Sequence, residues 1–202
     1  LIGLYSYETF GPENYNHWFK YYMSNLETTH PWAAADFGKP GFEFSKPTPE
    51  QKLYKPVVYS IHLQKSSMSD NVRIKLKMPK DPVKHYGAPQ TLIIEYIFNK
   101  LKNTFSISLY WKDKDANRLP EASWFSFNPI VDNPNQWKLH KLGTYISPLN
   151  VVKDGNRNLH ALEKGMQYEG ADGWIEIETL DAALVSPGNR RLLHFDNSFA
   201  PL

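Results

Sequence analysis

The sequence contains no cysteine, which excludes disulfides, thiol nucleophiles and cysteine-ligated metal. It leaves the compartment open, because secreted proteins need not carry disulfides. Asn-x-Ser/Thr sequons are absent too, removing glycosylation as a mark of secretion. No apolar run approaches the roughly 20 residues of a membrane-spanning helix, and Leu1-Ile2-Gly3-Leu4 is too short for a signal-peptide core. Strong charge of either sign is missing: 23 Lys+Arg against 21 Asp+Glu leave a formal net charge of +2, with the basic residues scattered along the chain. Neither nucleic acid nor a membrane surface is therefore expected as a partner.

Catalytic signatures are equally scarce. The seven histidines, at positions 17, 30, 62, 85, 140, 160 and 194, form no His-x-His or His-Glu-x-x-His pattern, so no metal site is expected. There is no Gly-x-Ser-x-Gly, no phosphate-cradling glycine loop and no dinucleotide fingerprint, and no cofactor is expected in this segment. The chain begins without an initiator Met on a hydrophobic stretch that reads as mid-strand, the expected look of a piece of a longer protein.

Aromatic residues are abundant. Twelve Tyr, 11 Phe and 6 Trp make up 14% of the 202 residues, a composition suited to strands, wide sandwich cores and carbohydrate-stacking platforms. Val72, Ile74, Leu76 and Met78 alternate with Arg73, Lys75 and Lys77, the signature of a half-buried strand. Val57 to Leu63 reads as its hairpin partner across a Ser66–Asn71 loop. Thr91 to Phe98 and Thr104 to Trp111 form a second hairpin. Further strands are expected over 1–10, 137–142, 143–146, 166–169, 174–180, 183–186 and 191–195, with a strand end at Val151-Val152 entering the Asp154-Gly155 turn. The period changes once: Tyr15, Trp18, Phe19 and Tyr22 fall at i, i+3, i+4 and i+7, a helix over 13–23 behind Pro12. Residues 45–56 and the proline-rich 80–90 read as long loops. These elements predict one all-β domain over 1–202, an antiparallel β-sandwich with one short helix.

The densest aromatic, acidic and amide cluster is Leu119–Pro129. Ser123, Phe125 and Phe127 would share one strand face and Trp124 and Ser126 the other, the pattern of a central strand covered on both sides. The acidic candidates for two-carboxylate glycoside hydrolysis are Asp36, Glu121, Asp132, Glu169 and Asp181, a chemistry that needs two carboxyl groups roughly 5 to 10 Å apart. His160 and Asp181 sit beside small residues at strand ends, where polar groups can orient a sugar.

Several of these residues carry a resemblance. Tyr7-Glu8-Thr9-Phe10, Trp32-Ala33, Asp36-Phe37-Gly38-Lys39-Pro40-Gly41, Arg118-Leu119-Pro120-Glu121-Ala122, Trp124-Phe125-Ser126-Phe127, Leu159-His160-Ala161 and Glu178 to Val185 resemble the C-terminal part of a bacterial and fungal family. It is the domain-of-unknown-function 5054 family, itself distantly similar to the family 38 glycoside hydrolases, the α-mannosidases. The resemblance implies a sandwich of the mutarotase-like supersandwich type, packed against an N-terminal α/β domain that holds the catalytic carboxylate and zinc ligands. On that reading the present chain is an accessory domain, not catalytic alone, lending loops to a sugar cleft through Arg118, Glu121, Trp32, Asp36 and Trp137. Two alternatives stand beside it. One is a free-standing carbohydrate-binding module with Trp32, Trp124, Trp137 or Trp174 as platform; the other is a mutarotase-like or lyase-like enzyme using His160 and a carboxylate, Glu121 or Asp181.

Overall fold

The computed structural model describes residues 2–22, 29–32, 39, 41–152, 157–179, 181–188 and 190. The chain forms two compact units, Leu1–Tyr15 with Ala34–Asn128, and Asn16–Ala33 with Pro129–Leu202.

The first unit contains the expected antiparallel β-sandwich. Its strands are β1 (Ile2–Thr9), β2 (Lys52–Tyr54), β3 (Val57–Lys65), β4 (Ser69–Lys77), β5 (Thr91–Asn99), β6 (Thr104–Lys112) and β7 (Glu121–Phe127). One sheet has the order β2-β1-β7 and the other β3-β4-β5-β6. The alternation read from β4 holds: Leu76 and Met78 are buried while Arg73 and Lys77 are exposed. Leu76, Leu92, Ile94 and Met78 of the larger sheet meet Tyr5, Tyr7 and Tyr54 of the smaller one in a single core. Tyr7 and Leu92 are wholly buried, and each such side chain contributes about 1.5 to 3 kcal/mol of transfer free energy.

Two bulges shape these sheets. Gly3 interrupts the β1–β7 register with φ 78°, and a Cβ there would lie 2.5 Å from the Tyr96 hydroxyl, so the position requires glycine. Tyr59 interrupts the β3–β4 register between Val58 and Ser60. The larger sheet also extends past the smaller one. Val58, Ile61 and Leu63 share the core-facing side through their partners Leu76, Ile74 and Val72, yet remain 60%, 61% and 58% exposed on the edge strand β3.

Helix α1 (Pro12–Tyr22) forms where the period changed, with Tyr15 buried, Trp18 and Phe19 half-buried and His17 exposed. In the first unit three expectations need correction. The loop read over 80–90 contains a second helix, α2 (Lys80–Tyr86). Pro82 sits in its first turn, where a missing N–H costs nothing, and Gly87 closes it in the left-handed conformation at φ 68°. The loop read over 45–56 contains β2, held because Tyr54 is buried and pairs with Tyr7. The strand of the aromatic cluster, β7, is an edge strand and not a central one. The N-terminal β1 takes the centre, and neither face of β7 is fully covered: Phe125 packs half-buried against the core, while Phe127 on the same face is 38% exposed.

The second unit is built on an antiparallel sheet of order β12-β11-β8-β9, from β8 (Lys138–Lys141), β9 (Thr144–Ile146), β11 (Gly165–Gly170) and β12 (Gly173–Glu178). A two-stranded ladder joins β10 (His160–Ala161) to β13 (Leu184–Val185). Leu139, Leu162 and Tyr168 are buried in this unit. Leu142 and Gly143 link β8 to β9 with φ 50° and 78°, the two positive values of a type I′ turn. Val151 and Val152 carry no strand. The Asp154-Gly155 turn and the strand expected over 191–195 lie outside the described residues, as does Leu180.

Candidate functional site

The ladder of the four-stranded sheet fixes which side chains share its outer face. Across the strands, Val57, Lys77, Thr91 and Lys112 form one row, followed by Ser60, Lys75, Ile93 and Tyr110. The next rows are His62, Arg73, Glu95 and Ser108, then Gln64, Asn71, Ile97 and Ser106. A groove of about 700 Å³ runs over this face, lined among others by Ser60, His62, Gln64, Asn71, Arg73, Lys75, Ile93, Glu95, Ile97 and Lys112. Its floor is apolar: Ile93 is only 8% exposed although it points away from the core. Arg73 Nε and Glu95 Oε1 form an ion pair at 3.3 Å across β4 and β5. Tyr59, freed from the ladder by its bulge, carries the Lys77 and Lys75 ammonium groups 4.1 and 5.3 Å from its ring centre. The Asn71 Oδ1 is shielded from solvent and has no hydrogen-bond partner among the described residues. The face thus offers donors and an apolar floor, with one carboxylate already paired. It is equipped to hold a polar ligand and carries no second carboxylate for acid–base work.

Glu121, the acidic residue singled out from the sequence, stands in a different setting, at the start of β7. Its Oε1 pairs with Lys114 Nζ at 2.6 Å, and its Oε2 accepts the Tyr7 hydroxyl in a short hydrogen bond. Tyr7 Oη also lies 2.5 Å from the Tyr86 carbonyl. A phenol has one hydrogen, and the charged carboxylate is the stronger acceptor; Asn117 Nδ2 serves the Tyr86 carbonyl instead. Lys114 additionally donates to the Gly87 carbonyl at 3.1 Å. Burial, reinforced by the hydrogen bond and negative charge of Glu121, pushes the Tyr7 phenol far above its usual range. Beside it, burial raises Tyr5 to about 12, and Tyr5 shares a 3.0 Å hydrogen bond with Ser123. Glu121 therefore ties β7 to β1 and to the loop after β6, with every oxygen engaged. Arg118 is exposed on the same loop, and its carbonyl accepts Lys39 Nζ at 2.9 Å.

A family model described as a domain of unknown function (DUF5054) matches residues 1–106, more than half of the 202 residues. The chain belongs to the DUF5054 family. No curated protein and no solved structure matches it. The DUF5054 match covers β1 to β5 and reaches into β6, so it takes in Ser60, His62, Arg73, Lys75, Glu95 and Ile97 of the groove and also Tyr7; Lys114, Arg118 and Glu121 lie beyond it.

The other residues named from this DUF5054 sequence are dispersed. Asp36 is outside the described residues. Trp32 is 55% exposed and meets the His30 ring edge-on at 5.7 Å. Trp124 is half-buried, its Nε1 donating to Glu8 Oε2 at 2.8 Å. In the second unit Trp137 packs against Tyr168 at 5.6 Å, and Trp174 is 62% exposed, paired across the ladder with the exposed Glu169. The Asp132 backbone N–H donates to Asp172 Oδ2 at 2.8 Å, and Asp181 occupies an exposed bend. His160 is 4% exposed with both ring nitrogens engaged: Nε2–H donates to the Arg157 carbonyl at 2.9 Å, and Nδ1 accepts Lys141 Nζ at 3.0 Å. Burial lowers its pKa, the Arg157 contact opposes that shift and the Lys141 charge adds to it, so the ring is held neutral. Among the described residues, no three His, Asp or Glu side chains gather as metal ligands.

Sequence reasoning placed Arg73, Lys75 and Lys77 outward but read them as solvated surface. The missing signal was register: only pairing of β3, β4 and β5 puts His62, Arg73 and Glu95 in one row.

Proposed function

We propose that this chain is a non-catalytic, carbohydrate-binding β-sandwich region of a carbohydrate-active enzyme of the α-mannosidase-like kind, and that sugar lies in the groove on the outer face of the four-stranded sheet. The observation that carries this reading is the groove itself. Its volume of about 700 Å³ falls within the roughly 300 to 1,000 Å³ of small-molecule sites. Its Ile93 floor suits the apolar face of a sugar ring, and Ser60, Gln64 and Asn71 suit its hydroxyls. The two engaged nitrogens of His160 and the paired oxygens of Glu121 weigh against an acid–base role for either residue. Backbone-amide NMR during titration with manno-oligosaccharides and other oligosaccharides tests the proposal. Shifts concentrated on β3 to β5, with no turnover of aryl mannosides, are expected. Shifts absent for every glycan tried, or turnover lost on Glu121→Gln, would overturn it.

A further inference from the structure

The charge on the groove face goes further and indicates what kind of sugar it takes, an inference that rests on the carbohydrate reading above. The face carries Arg73, Lys75, Lys77 and Lys112 against Glu95 alone. Glu95 is used up by Arg73 at 3.3 Å, so three lysines remain without a carboxylate on that face. Four cations less one anion give +3, whereas the entire chain sums to +2; the rest of the molecule is therefore net negative. Two of the three, Lys75 and Lys77, are also held in place over the ring of Tyr59. Confined like charges repel one another, and an anion among them is attracted with an energy that low ionic strength enlarges.

We propose that the groove binds an acidic glycan, one bearing carboxylate or sulfate groups, with Lys75 and Lys112 of its lining and Lys77 on the same face turned toward the anions. A saccharide fits this face better than a nucleic acid strand. The cations cover only the width of four strands, and the groove floor is Ile93 and Ile97 where base stacking calls for a run of aromatic rings.

The test is calorimetry on the 202-residue chain with four probes of matched length: an oligogalacturonate, a sulfated dextran oligomer, a neutral manno-oligosaccharide and a single-stranded oligonucleotide. At least one acidic glycan is expected to bind about tenfold or more tightly than the neutral one, with affinity falling as salt rises; the oligogalacturonate and sulfated arms tell carboxylate from sulfate. The double variant Lys75→Ala/Lys77→Ala and, separately, Lys112→Ala are each expected to lose most of that preference together with its salt dependence. Equal binding of acidic and neutral glycans would overturn this inference and leave the carbohydrate reading standing. Binding of no glycan would overturn both, and binding of the oligonucleotide as tightly as the best glycan would replace the ligand class.

Discussion

Glu121 is one of the residues that the sequence offers as catalytic candidates and the structure makes look like a tie, and the two roles separate cleanly on mutation. Glu121→Gln keeps the shape and an oxygen for the Tyr7 hydroxyl but removes the charge opposite Lys114. The side chains of Glu121 and Lys114 are 28% and 25% exposed. That lies between fully exposed pairs, which contribute about 0.2 to 1 kcal/mol, and buried ones, whose breakage costs about 3 to 5 kcal/mol. Lys114 retains the Gly87 carbonyl, which lowers the cost further. A loss of about 1 to 2 kcal/mol is expected. Tyr7→Phe removes a buried hydroxyl whose second neighbour, the Tyr86 carbonyl, keeps Asn117 as donor, so its cost is about 1 kcal/mol. Both substitutions act on one network, so the double variant should lose less than the sum. Urea unfolding at neutral pH of wild type, both single variants and the double variant measures all of this. Strict additivity, or a loss below about 0.3 kcal/mol for Glu121→Gln, would refute the tie. Stability unchanged with glycan binding abolished would give Glu121 a ligand role instead.

Other consequences can be measured in the same way. Leu92, wholly buried at the centre of the core, is expected to lose about 3 kcal/mol or more as Leu92→Ala, and the half-buried edge residue in Phe125→Ala about 2 kcal/mol; equal losses in thermal melts would contradict the edge position of β7. Leu142 adopts φ 50° at 96% exposure, so Leu142→Asn, which creates the preferred Asn-Gly pair, should raise stability by about 0.5 to 1 kcal/mol, and a lowered melting temperature would exclude the type I′ turn. The folded pKa of His160 lies below its ordinary 6.5. The unfolded chain therefore binds the proton first as pH falls, and the stability present above about 6.5 is lost in the window beneath it. Melting scans from pH 7.5 to 5 should show that decline in wild type and a shallower one in His160→Gln.

What was legible in the sequence was whatever depends on near neighbours. The alternation of Val72 to Met78 declared β4, and the spacing of Tyr15, Trp18 and Phe19 declared α1. The β5–β6 hairpin pairs residue for residue from Thr91↔Lys112 to Asn99↔Thr104, as its two runs implied. Helix α2 was hidden by Pro82, although proline in the first turn and glycine just past the end, here Gly87, is itself a helix signature. The edge position of β7 could not be read, because both faces of Leu119–Pro129 carry rings and only pairing with β1 decides which is covered. The candidate site was hidden for the same reason. His62, Arg73 and Glu95 are 11 and 22 residues apart in sequence and meet only through the ladder, while Glu121 finds Tyr7 across 114 positions.

The uncovered apolar row on β3 bears on how this protein behaves in a test tube. Val58, Ile61 and Leu63 line a strand whose outer edge has no partner strand among the described residues, the combination that recruits a second chain edge to edge. Two features stand against it: Lys55 and Lys65 at either end of the strand, and the bulge at Tyr59 that kinks it. Deleting Tyr59 would straighten the strand and offer a flat, apolar template to its neighbours. Such a variant should precipitate at concentrations that the parent tolerates, so that one surplus residue in a ladder acts as a safeguard of solubility.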